Sequence, residues 1–505
     1  MTAIKELKRL SGTFFDGEGF RKSAAAKTLP VIDPATEETI GNIPDTTEAE
    51  VEAVIARANK VQRDWNRQNA LTRAELMHEV AHRMREMKPV LAEMMTREMG
   101  KPYKEAADEV AWSASAIDYY AEVARHEAGR IVGPAVDNQF HFITKDALGV
   151  VVVILPFNYP LVLMCWEAAA ALATGNAVIV KPSELTTLTT LKFMEAFAAL
   201  PAGLIQCVPG GGRVGQQLVS SPDTHAVGFT GGVDTGRLVA KACAETFKRC
   251  LIEASGNDPF IVMPSAPIDM AARGAVFAAY LNCGQVCTSG ERYYVHEKIH
   301  DDFVEAVVEK TRKLRIGNGL DKVDIGPMVT DKERARFEGV LARAQQQGAR
   351  LLCGGKRPRD FNKGWFIEPS VMVDVKPDMD ILQAESFGPT MPICKVSSFD
   401  EAIELANRSR YGLGSNVYTT DLGEAMRAVR EIEAGMVWVN APLLDNDAGP
   451  FGGRKLSGTG RQLGAEGLDM FRHTKFSMID PDCREQDFWW FPYKDSEAHS
   501  GGSKT

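Results

Sequence analysis

The chain has 505 residues, 45% hydrophobic and 25% charged, which is ample apolar material for two or three domains. A formal net charge of −9 lacks the basic footprint of a general nucleic-acid binder. Nine irregularly spaced cysteines do not resemble a secreted disulfide framework, and the most apolar stretch, GVVVVILPFNYPLVLMCW, is interrupted by two prolines and an asparagine, against a membrane span.

The opening MTAIKELKRL is short and mixed, unlike a secretory leader, so a reduced, cytoplasmic setting is expected. Residues 45–130 carry helical periodicity, with Asp/Thr capping candidates at DTTEAEVEAV and stop signals at Gly100 and Pro102. QFHFITKDALG alternates weakly, as a strand or hairpin does. From Gly149 the texture changes. Short apolar runs (GVVVVILP, NAVIVKP, IQCVPGG, HAVGFTGG, RCLIEASG, PFIVMPS) alternate with helical segments such as LVLMCWEAAAALATG and TTLTTLKFMEAFAAL. Runs apolar on both faces, alternating with helices, predict a parallel sheet with crossover helices. The rhythm returns after 290 in RYYVHE, a helix through 300–313, ARLLCGG, PICKVSS and GMVWVNA. The reading is α/β: two doubly wound parallel-sheet units, with a boundary near 254–260. The tail DSEAHSGGSKT reads as disordered.

In a doubly wound sheet, ligands bind at the carboxyl ends of strands. Those ends here carry Asn158, Lys181-Pro182-Ser183-Glu184, the GGG at 210–212 and TGGVDTG at 230–236. An acidic residue there can accept from ribose hydroxyls while a lysine donates, a pattern that Lys181 and Glu184 fit. The glycines of FTGGVDTG would let backbone approach a diphosphate at a helix start. The G-x-G-x-x-G fingerprint is absent.

LNCGQVCTSG sets Cys283 and Cys287 four apart. Zinc needs about four ligands, and no C-x-x-C or second Cys/His pair supplies them, so no metal is expected. A redox pair needs closer spacing. Cys165, Cys207, Cys243, Cys250, Cys353 and Cys394 read as buried thiols. Cys287 differs because small polar residues surround it, as a nucleophile's access requires.

GQVCT (284–288), FTGGVDTG (229–236), IEASGNDP (252–259), ESFGP (385–389) and PFGGRKLSGTGRQLG (450–464), in this order and spacing, resemble the aldehyde dehydrogenase superfamily over roughly residues 25–480. The resemblance implies that Cys287 attacks an aldehyde, that the Asn158 amide and the Cys287 N–H form an oxyanion hole, and that Glu253 activates water against the thioester. Cys283 becomes the bystander. It implies NAD, with NADP possible, held by Lys181, Ser183, Glu184, Gly212, Phe229, Gly231, Gly232, Gly236, Glu385 and Phe387. A carboxylate at Glu184 would repel a 2′-phosphate by up to ~4 kcal/mol at 4 Å and an effective dielectric of 20, which favours NAD. The implied organisation is a cofactor domain in 1–128 and 148–254, a catalytic domain in 255–465, an oligomerisation element in 129–147 and 466–482, and an extension in 483–505. A homodimer or homotetramer follows. The aromatic run DFWWFPY (487–493) is expected to pack on its own or a neighbouring subunit.

By the family pattern the substrate tunnel is lined near Tyr159, Leu163, Trp166, Val286, Thr288, Leu443 and Phe451, which favours an apolar or aromatic aldehyde. An aminoaldehyde is the alternative: Tyr159 and Trp166 would begin an aromatic cage, with Asp445 and Asp447 adding negative charge but no third aromatic evident. Semialdehyde-oxidising members tend to place arginines where Trp166 and Leu281 stand. A CoA-acylating member would lack Glu253; a catalytically idle relative is the reading outside enzymes. Departures from the pattern are Ala254-Ser255 for Leu-Gly, Phe157 for Trp, Glu167 for Lys and Gln462 for Glu. The extra side chain at Ser255 is expected to restrict Glu253. Because the last two positions serve the proton leaving the general base, a different exit is expected, with a burst of NADH before a slower steady state.

Overall fold

The structure, a computed structural model, describes residues 2–485 and 490–491. Its first sheet has a parallel core of Val150–Ile154, Ala177–Lys181, Ile205–Cys207, Ala226–Thr230 and Arg249–Glu253. The first three strands build outward in one direction from Val150–Ile154 and the last two in the other. The chain therefore reverses between Val150–Ile154 and Ala226–Thr230, and the loops after those two strands open into the crevice where such sheets bind ligands. Val150 to Val153 and Ala177 to Val180 have no exposed surface, because helices cover both faces.

The backbone crosses from Glu253 to Asp258 into a second sheet, centred on Asp258–Val262, Gly290–His296 and Thr390–Val396. Gly458–Thr459, a segment assigned above to the catalytic unit, instead pairs antiparallel with Arg249–Glu253 at the edge of the first sheet. A third, three-stranded sheet joins Phe140–Ala147 to Gly129–Val132 and Arg472–Ile479. It exposes Ile131, Phe140, Phe476, Met478 and Ile479. Among the described residues no helix is long and apolar enough to cross a membrane. Most of the run DFWWFPY lies outside the described residues, as does the tail DSEAHSGGSKT; Trp490 and Phe491, which are described, are exposed.

Three long helices precede the parallel core of the first sheet: Glu48–Arg67, Ala70–Met99 and Tyr103–His126. Thr47 and Glu50 close a reciprocal cap on the first. The second ends at Gly100 with φ 92, a left-handed turn that glycine adopts without steric cost. That turn delivers Lys101 into the interior. Its ammonium donates to Glu109 at 2.5 Å and to the Asn158 carbonyl at 2.6 Å, with neither charged side chain exposed. The other Glu109 oxygen accepts from the N–H of Leu161 at 2.9 Å, at the start of the helix Pro160–Ala173. Removing one member of such a pair strands a buried charge, so Lys101→Ala is expected to lose about 3–5 kcal/mol of stability, read as a lower urea midpoint.

Candidate active site

Cys287 lies after a tight turn in which Asn282 and Cys283 both take positive φ, 51 and 56 degrees. Gly284 completes the turn; a Cβ there would stand 2.4 Å from the Gly388 carbonyl carbon. Cys283 points into the core with its sulfur 3.8 Å from that of Met328, while Cys287 keeps partial exposure. Opposite, Gly256 brings the Glu253–Asn257 turn against the Cys287 carbonyl so closely that a Cβ would lie 2.0 Å from its oxygen. This contact locks Glu253 and Cys287 together across the two sheets.

The thiol stands between two cavities. One, of about 350 Å³, is lined by Phe157, Asn158, Thr230, Gly231, Gly232, Glu253, Glu385 and Phe387, with Ser255, Glu333 and Arg336. Phe387 adopts φ 44 because Glu291 accepts from the N–H groups of both Ser386 and Phe387, and its ring meets Phe157 edge to face. Asn158 spends one amide N–H on the Gln285 carbonyl at 3.1 Å, which leaves its second, while the Cys287 N–H finds no partner among the described residues. Both carboxylate oxygens of Glu253 are buried without a close partner.

Lys181 and Glu184 meet at 3.3 Å beyond the neighbouring strand. Ser183 is buried and accepts from the Leu185 N–H. Gly212 and Gly232 stand at the starts of the helices Gly212–Ser220 and Val233–Ala244, and a Cβ on either would enter open space. Phe229 and Gly236, expected among cofactor contacts, pack beneath and behind the glycine turn. Phe229 is buried under the glycine turn, its ring 2.8 Å from where a Cβ on Gly231 would sit. Gly236 faces Ile252 at 3.1 Å and serves helix-on-strand packing.

The second cavity, about 220 Å³, is lined by Tyr159, Leu163, Trp166, Val286, Thr288, Leu443 and Phe451 beside Cys287. Trp112 and Phe277, which the sequence reading missed, add further aromatic walls; Trp112 meets Trp166 edge on at 6.2 Å, and Phe451 lies 4.9 Å from Trp166. Trp112 was hidden in an ordinary helical period. Every charged side chain on this lining is acidic: Glu105, Asp108, Glu109 and Asp445. Burial, with Asp447 adding to it, raises Asp445 to about 7.

Electrostatics around the thiol are uniformly negative. Burial pushes Cys287 well above its ordinary value, and Glu253, Asp258, Glu385 and Asp445 add to the shift. Burial likewise lifts Glu253, with Glu385 and Glu167 contributing. Glu385 accepts from the Gly256 N–H at 3.2 Å, one residue beyond Ser255. Among the described residues no group of three or more His, Cys, Asp or Glu is placed to hold a metal.

A parallel-sheet crevice, glycine-started helices at its rim and a cysteine between two cavities define a dinucleotide-type fold with a thiol at its cleft. The aldehyde dehydrogenase family model matches residues 20–477, and the chain belongs to that family. It is 36% identical over 479 residues to the 3,6-anhydro-alpha-L-galactose dehydrogenase of Vibrio sp. (strain EJY3), covering 94% of this chain and 98% of that protein. It is 37% identical over 472 residues to the betaine aldehyde dehydrogenase of Brucella canis, covering 92% and 96%. The solved structure of betaine aldehyde dehydrogenase from Staphylococcus aureus with NAD+ superimposes with a TM-score of 0.93 at 32% identity, covering 97% of this chain and 99% of that one.

Gly228 decides whether the helix Pro160–Ala173 can seat Glu167, since a Cβ there would fall 2.1 Å from the Glu167 carboxylate. Gly228→Ala is expected to destabilise the fold by about 1–3 kcal/mol through overpacking, read as a lower melting temperature.

Proposed function

We propose that the protein oxidises an aldehyde to a carboxylic acid with NAD, through a thioester on Cys287. The observation that carries this reading is the position of Cys287, shared by the aromatic cavity and by the cleft containing Glu253, Asn158 and Glu385. NAD supplies the hydride acceptor. The open positions at Gly212 and Gly232 leave two helix N-termini bare for a diphosphate, and the Lys181–Glu184 pair can take a ribose. Glu385 is placed to accept from a second ribose, with Phe387 beside it.

The Cys287 sulfur adds to the aldehyde carbon. The developing oxyanion is met by the spare Asn158 N–H and the Cys287 N–H; losing one such donor costs about 10²–10³ in rate. Once the carbon has given up hydride, it is a thioester. Glu253, a carboxyl of raised basicity with free oxygens, takes a proton from water as that water's oxygen attacks. The carbon–sulfur bond then breaks and the acid leaves.

The substrate body sits among Trp112, Tyr159, Trp166 and Phe451, so an apolar or aromatic aldehyde fits. The wholly acidic charge on this lining disfavours a carboxylate tail. Asp445 favours a second reading, an aldehyde bearing a cationic amine, and Trp112 supplies the third aromatic wall that such a cage needs. The relatives named for betaine aldehyde are in line with it. The apolar strips on the three-stranded sheet support assembly into a homo-oligomer.

Cys287→Ala is expected to abolish NADH formation from every aldehyde while the fold and NAD binding persist; residual turnover would remove the nucleophile assignment. A panel of benzaldehyde, straight-chain, trimethylammonio and carboxylate-tailed aldehydes is expected to give the lowest kcat/KM for the last. Asp445 ionises as pH rises through about 7, so the KM of a cationic aldehyde is expected to fall across that range while that of benzaldehyde stays level. Asp445→Asn is expected to erase the difference.

A further inference from the structure

Gln285 lies two residues before Cys287, is almost wholly buried and takes no part in the steps above, yet its polar groups are all committed. Its side-chain N–H donates to the Asn282 carbonyl at 3.0 Å, and its side-chain oxygen accepts from the N–H of Val329 at 3.0 Å, just ahead of the helix Asp331–Gln346. Its backbone N–H meets the same Asn282 carbonyl at 3.1 Å. Asn282 and Cys283 are consecutive left-handed residues and neither is glycine, a costly conformation that persists only where its surroundings over-determine it. The Gln285 side chain does this by tying the turn to itself and to a separate chain segment. The Gln285 carbonyl, so placed, accepts from two side-chain amides, those of Asn158 and Asn282, each at 3.1 Å. The Asn282 amide also reaches the Asn158 carbonyl at 3.3 Å, which accepts from the Lys101 ammonium as well. Turning the Asn158 amide over would set two oxygens 3.1 Å apart, so its nitrogen faces the Gln285 carbonyl, and its own oxygen has no partner among the described residues. An amide is planar, so fixing one N–H of Asn158 fixes the direction of the other.

We propose that Gln285 is a positioning residue for hydride transfer: its side chain pins the Asn282–Cys283 turn, and its carbonyl aims the remaining N–H of Asn158 at the place where the aldehyde oxygen gathers negative charge. A donor held in place before the reaction needs no reorganisation as that charge develops, and this is where such donors gain their effect. The choice of group matters as well. Acids already surround the thiol, and a neutral carbonyl holds the Asn158 amide without adding another charge beside it. Lys101 fixes the backbone of Asn158 and Gln285 fixes its side chain, so the two anchors act on different parts of one residue.

This inference rests on the reading of Asn158 as an oxyanion donor, and the test separates the two. NAD-loaded enzyme is mixed rapidly with benzaldehyde at a series of concentrations, and the rate of the NADH burst is followed. Gln285→Met keeps the length of the side chain but makes neither of its hydrogen bonds. The limiting burst rate is expected to fall ~10-fold or more, because a donor displaced by a fraction of an ångström loses much of its effect. The half-saturating benzaldehyde concentration is expected to change by less than ~3-fold, as for an interaction made in the transition state and not in the ground state. Asn158→Ala alone is expected to lower the burst by about 10²–10³. Adding Gln285→Met to Asn158→Ala is expected to cost less than ~3-fold more, since the group to be aimed is gone. If the two losses multiply in the double variant, Gln285 serves only the fold and the proposal is overturned. A wild-type burst in Gln285→Met overturns it too. Should Gln285→Met not fold, Gln285→Glu takes its place in the same cycle, because its carboxylate still accepts from Val329 but cannot donate to Asn282. A wild-type burst in Asn158→Ala instead overturns the assignment of the oxyanion donor.

Discussion

Lys101 joins the helical layer to the reacting centre, and much of the site's geometry follows from where its ammonium sits. The side chain leaves a left-handed glycine turn, passes over the Tyr159 ring at 3.8 Å and ends between Glu109 and the Asn158 carbonyl. Glu109 in turn holds the first N–H groups of the helix that carries Leu163, Trp166 and Glu167. A pair of ions buried this deeply contributes little net stability over an apolar substitute. Its contribution is placement: Asn158, Tyr159 and the start of the helix Pro160–Ala173 share one anchor, set by residues more than fifty positions earlier in the chain.

The parts of the site that were legible in the sequence are those in which chemistry and backbone geometry occupy the same few residues. The glycine turns at 210–212 and 230–236, the polar ends of the apolar runs, and a cysteine among small residues each announce themselves locally. Parallel strands were legible because burial on both faces removes alternation, and Val150 to Val153 carry that pattern without interruption. Lys101, Glu109 and Trp112 were not legible. They belong to segments whose periodicity describes ordinary helix packing, and only the crossing of three chain segments gives them neighbours. Phe229 shows the converse. Its place inside a glycine motif suggested contact with a ligand, yet strand alternation turns the ring inward, where it supports the turn from below. Gly458–Thr459 likewise crosses a boundary drawn from sequence order, because the edge of Arg249–Glu253 still needs partners for its backbone.

The charge distribution sets the resting state of the centre. Burial acts first on Cys287, and Glu253, Asp258, Glu385 and Asp445 add to it, so the thiol is held well above its ordinary value. This opposes the arrangement usual for activated cysteines, where a neighbouring cation or helix N-terminus lowers the value. The same concentration of acids keeps the carboxyls themselves basic, a property that suits proton abstraction from water.

Cys287 forms part of the wall of both cavities, one on each side of the sulfur. The two openings make traffic through the enzyme a matter of separate doors. A molecule lodged among the tryptophans obstructs one entrance to the sulfur and leaves the other clear. An electrophile small enough to pass either door reaches the same sulfur by two routes, and filling one cavity closes only one of them.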